Sequence, residues 1–207
     1  MAQNLLIIVD VQNDFCEGGA LGVDGGAEVS QRIASYVREH GGEYDRILAS
    51  QDWHRGDTDN GGHFAVPPAE PDYVDTWPVH CVAGTDGAAL HPAVEEIAER
   101  VEVVHKGHGI PSYSALEGTV VATGESVQDL VDGATVDVVG LAYDFCVRAT
   151  ALGSRDQGAT VRVLREMTAA VHPDRIGALE EELAVAGVEI LRTVDRRSPV
   201  AGDLPEG

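Results

Sequence analysis

The stretch TVDVVGLAYDFCVRATALGSRDQGATVRVL, residues 135–164, contains a complete strand–helix–strand unit. The runs Val136–Leu141 and Thr160–Leu164 are short, β-branched and almost continuously apolar, which is typical of strands buried on both faces. Between them, Cys146–Gln157 has the length and pattern of a helix, and Gly158 stands where a helix C-cap is expected. Two parallel strands joined by a helix are therefore predicted here.

The same alternation of strands and helices continues in both directions along the chain. Further strands are predicted at Leu5–Val9, Arg46–Ala49, Val101–His105 and Val188–Leu191. Further helices are predicted at Ala27–His40, Ala93–Arg100, Ser126–Asp132 and Arg175–Ala186. We therefore predict the α/β class: a Rossmann-like three-layer α/β/α sandwich with a six-stranded parallel sheet. Residues 1–195 are expected to form one domain, and residues 196–207 a flexible C-terminal tail.

The composition of the chain disfavours two classes of binding partner. The chain has 207 residues and a net charge of −21, which disfavours nucleic acid and anionic membranes as partners. It has no continuous run near the ~20 apolar residues of a membrane helix. The first apolar run, Leu5–Val9, is too short for a signal peptide and lacks a basic flank. A cytoplasmic protein acting on a small molecule is expected, and the sequence leaves open whether it forms a homo-oligomer.

Three reactive side chains stand where three of the predicted strands end. Asp10 ends the first strand, Lys106 follows the third, and Cys146 follows the fourth at the start of a helix. Because the carboxyl ends of parallel strands meet at one edge of the sheet, these side chains are expected to converge. The helix N-terminus and Lys106 favour a Cys146 thiolate, and Asp10 can take and return a proton. A cysteine nucleophile is predicted, although each residue alone has an ordinary structural explanation.

The numbers of lysine and cysteine residues also bear on the predicted cysteine nucleophile. Lys106 is the only lysine among 14 basic residues, and arginine does not readily replace a compact ammonium near a reacting centre. The cysteines, Cys16, Cys81 and Cys146, are odd in number and include no CxxC pair, so a disulfide framework is not expected. Each of them is therefore either a buried apolar filler or a nucleophile.

A second group of residues has the composition of a metal site. It consists of Asp52, His54, His63 and His80, which suit one divalent ion such as zinc, iron or manganese. Asp52 and His54 alternate along an extended segment and so point to the same side. His63 and His80 come from a long polar loop, which the metal would anchor. Any one of these histidines alone is an ordinary loop residue, and the other five histidines are read that way.

Several runs of this sequence resemble a known family. They are IIVDVQNDFCEGGAL from Ile7, the pattern DWH…HF, WPVHCVAGT from Trp77, Lys106-Gly107, and VVGLAYDFCVRATA from Val138. Together they resemble bacterial nicotinamidases, also called pyrazinamidases, of the isochorismatase-like hydrolase superfamily. The stretch between His54 and His63 is longer than in the members that the chain most resembles. Phe145, next to the predicted nucleophile, matches no residue with a family role.

The resemblance implies an activity and a role for each matching residue. It implies a metal-dependent cysteine amidohydrolase that deamidates nicotinamide, and also pyrazinamide, through a thioester intermediate. The implied catalytic residues are Asp10, Lys106 and Cys146, and the implied metal ligands are Asp52, His54, His63 and His80. Backbone N–H groups of Ala142 and Cys146 would form the oxyanion hole, after a cis peptide before Ala142. Phe15 and Trp77 would sandwich the pyridine ring.

Two other functions remain open at this stage. The first is another isochorismatase-like hydrolase, such as an N-carbamoyl amidase or isochorismatase itself, which usually lacks the histidine set. Bound metal would distinguish it from a nicotinamidase. The second is a catalytically silent metal- or ligand-binding protein with the same fold, which ammonia release would exclude.

Overall fold

A seven-stranded sheet forms the centre of the protein, and the computed structural model describes residues 2–192. The strands are β1 Asn4–Val9, β2 Arg46–Asp52, β3 Glu102–Lys106, β4 Thr119–Val120, β5 Thr135–Gly140, β6 Thr160–Thr168 and β7 Glu189–Leu191. Their order across the sheet is β4-β3-β2-β1-β5-β6-β7, and every neighbouring pair is parallel except β3 and β4. All six predicted parallel strands are present, and the predicted α/β fold class is confirmed.

The strand missed from the sequence is β4, which makes the sheet seven-stranded rather than six-stranded. It contains only two residues and pairs antiparallel with the end of β3, Val120 against Val104 and Thr119 against His105. Two residues are too few to carry a periodic hydrophobic pattern, so no signal marked this edge strand.

The helices are α1 Gly26–His40, α2 Pro92–Glu95, α3 Val127–Val131, α4 Arg148–Asp156 and α5 Ile176–Val185. The predicted helix at Ala93–Arg100 is wrong in extent, because α2 ends at Glu95 and a separate 3-10 turn covers Ala98–Arg100. The predicted helix at Cys146–Gln157 begins two residues later, at Arg148, after a π-helical turn at Tyr143–Val147. π-Helical turns are rare and frequently occur at functional sites.

The core lies on both faces of the sheet. Leu5, Ile7 and Val9 of β1 pack into one cluster with α3, α4 and α5, whereas Leu6 and Ile8 pack into the other with α1 and α2. Because successive side chains of a strand point to opposite faces, this division places helices on both sides of β1. The predicted three layers are therefore present. The predicted tail, residues 196–207, lies outside the described residues, and the extent of the domain stays a prediction.

The end of β5 approaches β1 closely at Gly140. This glycine has a φ of +116°, and a Cβ there would lie 2.1 Å from the Val9 carbonyl oxygen. A residue with a side chain would therefore have to move the start of the turn that follows β5. Within residues 2–192, no helix is both long enough and apolar enough to cross a membrane.

Candidate active site

Four parallel strands bring reactive side chains to one edge of the sheet. Asp10 directly follows β1, Asp52 is the last residue of β2, Lys106 is the last residue of β3, and Cys146 lies in the turn after β5. Since β2 and β5 flank β1 on opposite sides, this edge is a switch point in strand order, where open α/β sheets bind ligands. The three predicted catalytic side chains and the first predicted metal ligand thus converge.

Lys106 joins the two carboxylates of the site. Its Nζ lies 2.9 Å from Asp10 Oδ2 and 2.5 Å from Asp52 Oδ1, and its side chain is fully buried. Burial opposes the charge of Lys106, but the carboxylates of Asp10 and Asp52 raise its pKa well above the usual value. Burial also opposes ionisation of Asp52, whose pKa nevertheless falls far below the usual range because of Lys106 and His54. The ammonium therefore stays charged between two acidic side chains.

Cys146 and Asp10 form a hydrogen-bonded pair next to this ammonium. Burial raises the pKa of the Cys146 thiol well above its usual value, and Lys106 only partly offsets this effect. Cys146 lies in the buried π-helical turn directly before α4, and the effect of the helix N-terminus on its thiolate stays a prediction. Burial also raises the pKa of Asp10, which accepts hydrogen bonds from Ser50 and Cys146. The hydrogen bond between the two side chains places Asp10 where it can take the thiol proton.

Three of the four predicted metal ligands form a compact group. One ligand atom each from His54, His63 and His80 lies within 4.8 Å of the others, and all three residues are buried. His54 Nδ1 donates to the Gly107 carbonyl at 2.8 Å, and His80 Nδ1 donates to the Pro78 carbonyl at 2.7 Å. Such bonds fix the ring orientation and leave Nε2 for a metal ion.

The histidine group has the features that a divalent ion requires. His54 Nε2 and His63 Nδ1 are buried without a hydrogen-bond partner in the described structure, which is unusual for native polar atoms. Burial, followed by repulsion from His54, lowers the pKa of His63 to about 3. Neutral imidazoles are the form that binds metals, so these three residues could hold a divalent metal ion.

The fourth predicted ligand, Asp52, lies beside the histidine group rather than within it. Its Oδ2 lies 3.6 Å from His54 Nε2 and 3.9 Å from His80 Nε2, while its Oδ1 accepts from Lys106. Asp52 therefore links the histidine group to the Lys106 ammonium. Gln12, which the sequence analysis did not single out, holds Asp52 in place: its side chain bonds both the N–H and the carbonyl of Asp52 at 2.9 Å.

A cavity of about 360 Å³ opens onto the Cys146 thiol and onto the histidine group. Its lining includes Cys146, Ala142, Asp52, His63 and His80, and its walls include Phe15, Trp77, Tyr113, Phe145 and His172. Phe15 and Trp77 were predicted for this place, whereas Tyr113, Phe145 and His172 were missed. These three residues come from different segments with no shared spacing, so only the folded chain reveals that they meet.

The turn before Cys146 carries one of the two predicted oxyanion donors, the Ala142 N–H. The peptide bond between Leu141 and Ala142 is cis, as the resemblance implied. The Ala142 carbonyl accepts from the N–H groups of Phe145 and Val147, which closes the turn. The Ala142 N–H has no hydrogen-bond partner among residues 2–192, and Ala142 lines the cavity. A backbone donor is thus available beside the thiol.

Comparison with known proteins agrees with this geometry. A family model described as Isochorismatase domain matches residues 4–195. The nicotinamidase/pyrazinamidase of Mycobacterium tuberculosis is 44% identical over 191 residues, covering 90% of this chain and 97% of that protein. The yeast nicotinamidase bound to the inhibitor nicotinaldehyde has a TM-score of 0.76 and 25% identity, covering 92% of this chain and 100% of that chain. The pyrazinamidase of Pyrococcus horikoshii in complex with zinc has a TM-score of 0.73 and 27% identity, covering 92% and 99%.

The family match and the parallel α/β fold show that the chain belongs to the isochorismatase family. Within that family it is similar to the nicotinamidase/pyrazinamidase of Mycobacterium tuberculosis over nearly the full length of both chains. The resemblance to nicotinamidases and pyrazinamidases that the motifs indicated is thereby confirmed.

The buried position of Lys106 leads to a prediction about its replacement. Lys106→Arg keeps the charge, but the wider planar group does not fit between Asp10 and Asp52 in a fully buried site. Turnover of the protein's substrate is expected to fall by about 100-fold or more, since displacements of about 1 Å can cost that much. The exposed Arg32→Lys variant, measured beside it, should behave as wild type. Full activity in Lys106→Arg would remove this residue from the catalytic group.

Proposed function

We propose that the chain is a metal-dependent cysteine amidohydrolase that converts nicotinamide to nicotinate and ammonia, and that it also accepts pyrazinamide. The observation that carries this proposal is a single cavity lined by the Cys146 thiol and by two of the three grouped histidines. A thiol beside a carboxylate–ammonium pair suits nucleophilic attack on an amide. Similarity to proteins named nicotinamidase and pyrazinamidase supports the choice of substrate.

Cys146 and Asp10 would carry the first half of the reaction. Cys146 Sγ attacks the carboxamide carbon, and Asp10 takes the thiol proton. The oxygen of the tetrahedral adduct accepts hydrogen bonds from the backbone N–H groups of Ala142 and Cys146. When the C–N bond breaks, Asp10 returns the proton to the leaving nitrogen, so ammonia departs and a thioester remains on Cys146.

A water molecule would complete the reaction. Asp10 takes a proton from the water, whose oxygen attacks the thioester carbon, and the C–S bond then breaks. The proton passes back to the Cys146 sulfur, and nicotinic acid leaves and ionises to nicotinate in water. Lys106 stays protonated throughout and stabilises the negative charge that moves between Asp10 and Cys146. The balance is one amide and one water consumed for one carboxylic acid and one ammonia formed.

His54, His63 and His80 would hold the metal ion, with Asp52 beside them as the fourth donor. This nitrogen-rich donor set suits zinc, iron(II) or manganese. When bound, the ion supplies a Lewis acid that can hold the ring nitrogen of the substrate. Phe15 and Trp77, on the walls of the same cavity, would contact the faces of the ring.

A different function, a metal-independent isochorismatase-like hydrolase, is less well supported. Such an enzyme does not require three buried histidines, two of them with unpartnered ring nitrogens, beside the nucleophile. A cytoplasmic location and a small-molecule substrate are part of the proposal.

A substrate panel tests the proposal. Purified protein is incubated separately with nicotinamide, pyrazinamide and an N-carbamoyl amino acid, and ammonia and the acid product are quantified. Equimolar ammonia and nicotinate are expected from nicotinamide, with matching turnover of pyrazinamide to its acid. Turnover of the N-carbamoyl compound alone would assign the chain to the rival hydrolase class.

A further inference from the structure

Asp144, two residues before Cys146, fastens the nucleophile turn to the segment that follows β6. Its Oδ1 accepts from the Val171 N–H at 2.9 Å, and its Oδ2 accepts from the His172 N–H at 2.8 Å. In addition, the Tyr143 N–H donates to the Ala169 carbonyl at 2.8 Å. Three hydrogen bonds therefore join residues 143–144 to residues 169–172.

The two joined segments form one wall of the cavity. Phe145 and Cys146 line it from the nucleophile turn, and Val171 and His172 line it from the other segment. The Phe145 ring lies 5.2 Å from the Trp77 ring at 89°, and 5.9 Å from the His172 ring. Val171 is 44% exposed, which is consistent with a position at the opening of the cavity to solvent. The hydrogen bonds of Asp144 therefore fix the positions of Val171 and His172 relative to Phe145 and Cys146 in this wall.

Asp144 itself is not among the residues that line the cavity. Both carboxylate oxygens of Asp144 accept hydrogen bonds from backbone N–H groups. The contacts of this side chain are therefore structural and do not involve substrate or proton transfer. Hydrogen bonds to a charged acceptor are stronger than those between neutral groups, so the carboxylate holds this wall firmly. Its effect on the reaction must pass through the residues that it positions.

We propose that Asp144 is a positioning residue for substrate specificity. It holds Val171 and His172 at a fixed distance from Cys146, so that the cavity accepts a flat, unsubstituted six-membered ring bearing a carboxamide and excludes rings with an added substituent. This inference rests on the proposed function, because it concerns the ring that the same cavity binds.

The variant Asp144→Asn tests the proposal. Its side chain has the same size, but the amide NH₂ now faces a backbone N–H, so one hydrogen bond is lost and two donors oppose each other. KM for nicotinamide is expected to rise about tenfold, the scale of one hydrogen bond to a charged group. We expect kcat to change by less than about threefold, the pattern of lost substrate binding. Metal content should stay unchanged, and the preference for nicotinamide over 5-methylnicotinamide should shrink.

Asp174→Asn is the matched control, because Asp174 is an exposed carboxylate in the same part of the chain. It should leave KM and the preference unchanged. An unchanged KM and an unchanged preference for nicotinamide over 5-methylnicotinamide in Asp144→Asn would overturn the proposal. A loss confined to kcat would also overturn it, because it indicates only that a smaller fraction of the enzyme is active. A wild type that releases no ammonia from nicotinamide would instead overturn the proposed function, and this inference with it.

Hydrogen exchange on the wild type keeps the proposal testable if Asp144→Asn does not fold. The amides of Val171 and His172 are expected to exchange more slowly than that of exposed Asp174, because each donates to the Asp144 carboxylate. Exchange of both amides at the rate of an unprotected peptide would overturn the proposal.

Discussion

Replacement of Cys146 by alanine is expected to lower kcat for nicotinamide hydrolysis by a factor on the order of 10⁴ or more, since loss of a nucleophile has effects of that size. The thiol lines the cavity beside Asp10 and Lys106, and no other sulfur among residues 2–192 lies on the cavity wall. The fold and the metal content should survive, because Cys146 is not in the histidine group. Ammonia release, circular dichroism and metal analysis on the same sample check all three expectations.

The other two cysteines provide matched controls. Cys16 is buried 3.7 Å from the Ser30 hydroxyl, and Cys81 is fully buried, with a pKa raised well above its usual value chiefly by burial. Neither lines the cavity, so Cys16→Ala and Cys81→Ala should keep most of the activity. Near wild-type ammonia release by Cys146→Ala would show that the proposed mechanism is wrong.

The second large effect concerns the histidine group. His54→Ala is expected to lower metal affinity by at least about 100-fold, because even residues that only orient a ligand can cost that much. Activity on nicotinamide should fall together with metal content. His40→Ala, at the end of α1, is the matched control and should retain both. Metal content by mass spectrometry and ammonia release by assay give the two readouts.

Benzamide separates metal binding from catalysis in the wild type. It carries the same carboxamide but lacks the ring nitrogen, so its reaction with the thiol is chemically unchanged. Its kcat/KM is expected to be at least about 100-fold lower than that of nicotinamide, because a site built for a polar atom rejects an analogue without it. Equal turnover of both amides would contradict a role for the metal in holding the ring.

The sequence predicted the features that depend on periodicity and on strand ends. The apolar runs located all six parallel strands, and the ends of those strands located Asp10, Lys106 and Cys146 at one edge. This works because a buried parallel strand has a continuous apolar pattern and because parallel strands share one carboxyl edge. The histidine group was predicted from residue type, and the fold brings one ligand atom from each of its three members within 4.8 Å of the others.

Other features depend on contacts that no local pattern records. β4 is too short for a pattern, and the π-helical turn at Tyr143–Val147 reads as the first turn of a helix. The raised pKa of Cys146 follows from burial, which the sequence does not give. Asp144 and Phe145 act across segments that are distant in the chain, so their places next to His172 emerge only on folding.

Turnover as a function of metal occupancy tests whether the chain hydrolyses nicotinamide with the help of a bound metal ion. The protein is stripped of metal with a chelator and then titrated with a divalent ion, while bound metal, ammonia and nicotinate are measured in the same samples. The proposed function predicts negligible turnover of nicotinamide without metal, and a rise in proportion to occupancy that saturates at one ion per chain, with ammonia and nicotinate equimolar. No ammonia from fully loaded protein, or the same rate with and without metal, would contradict it.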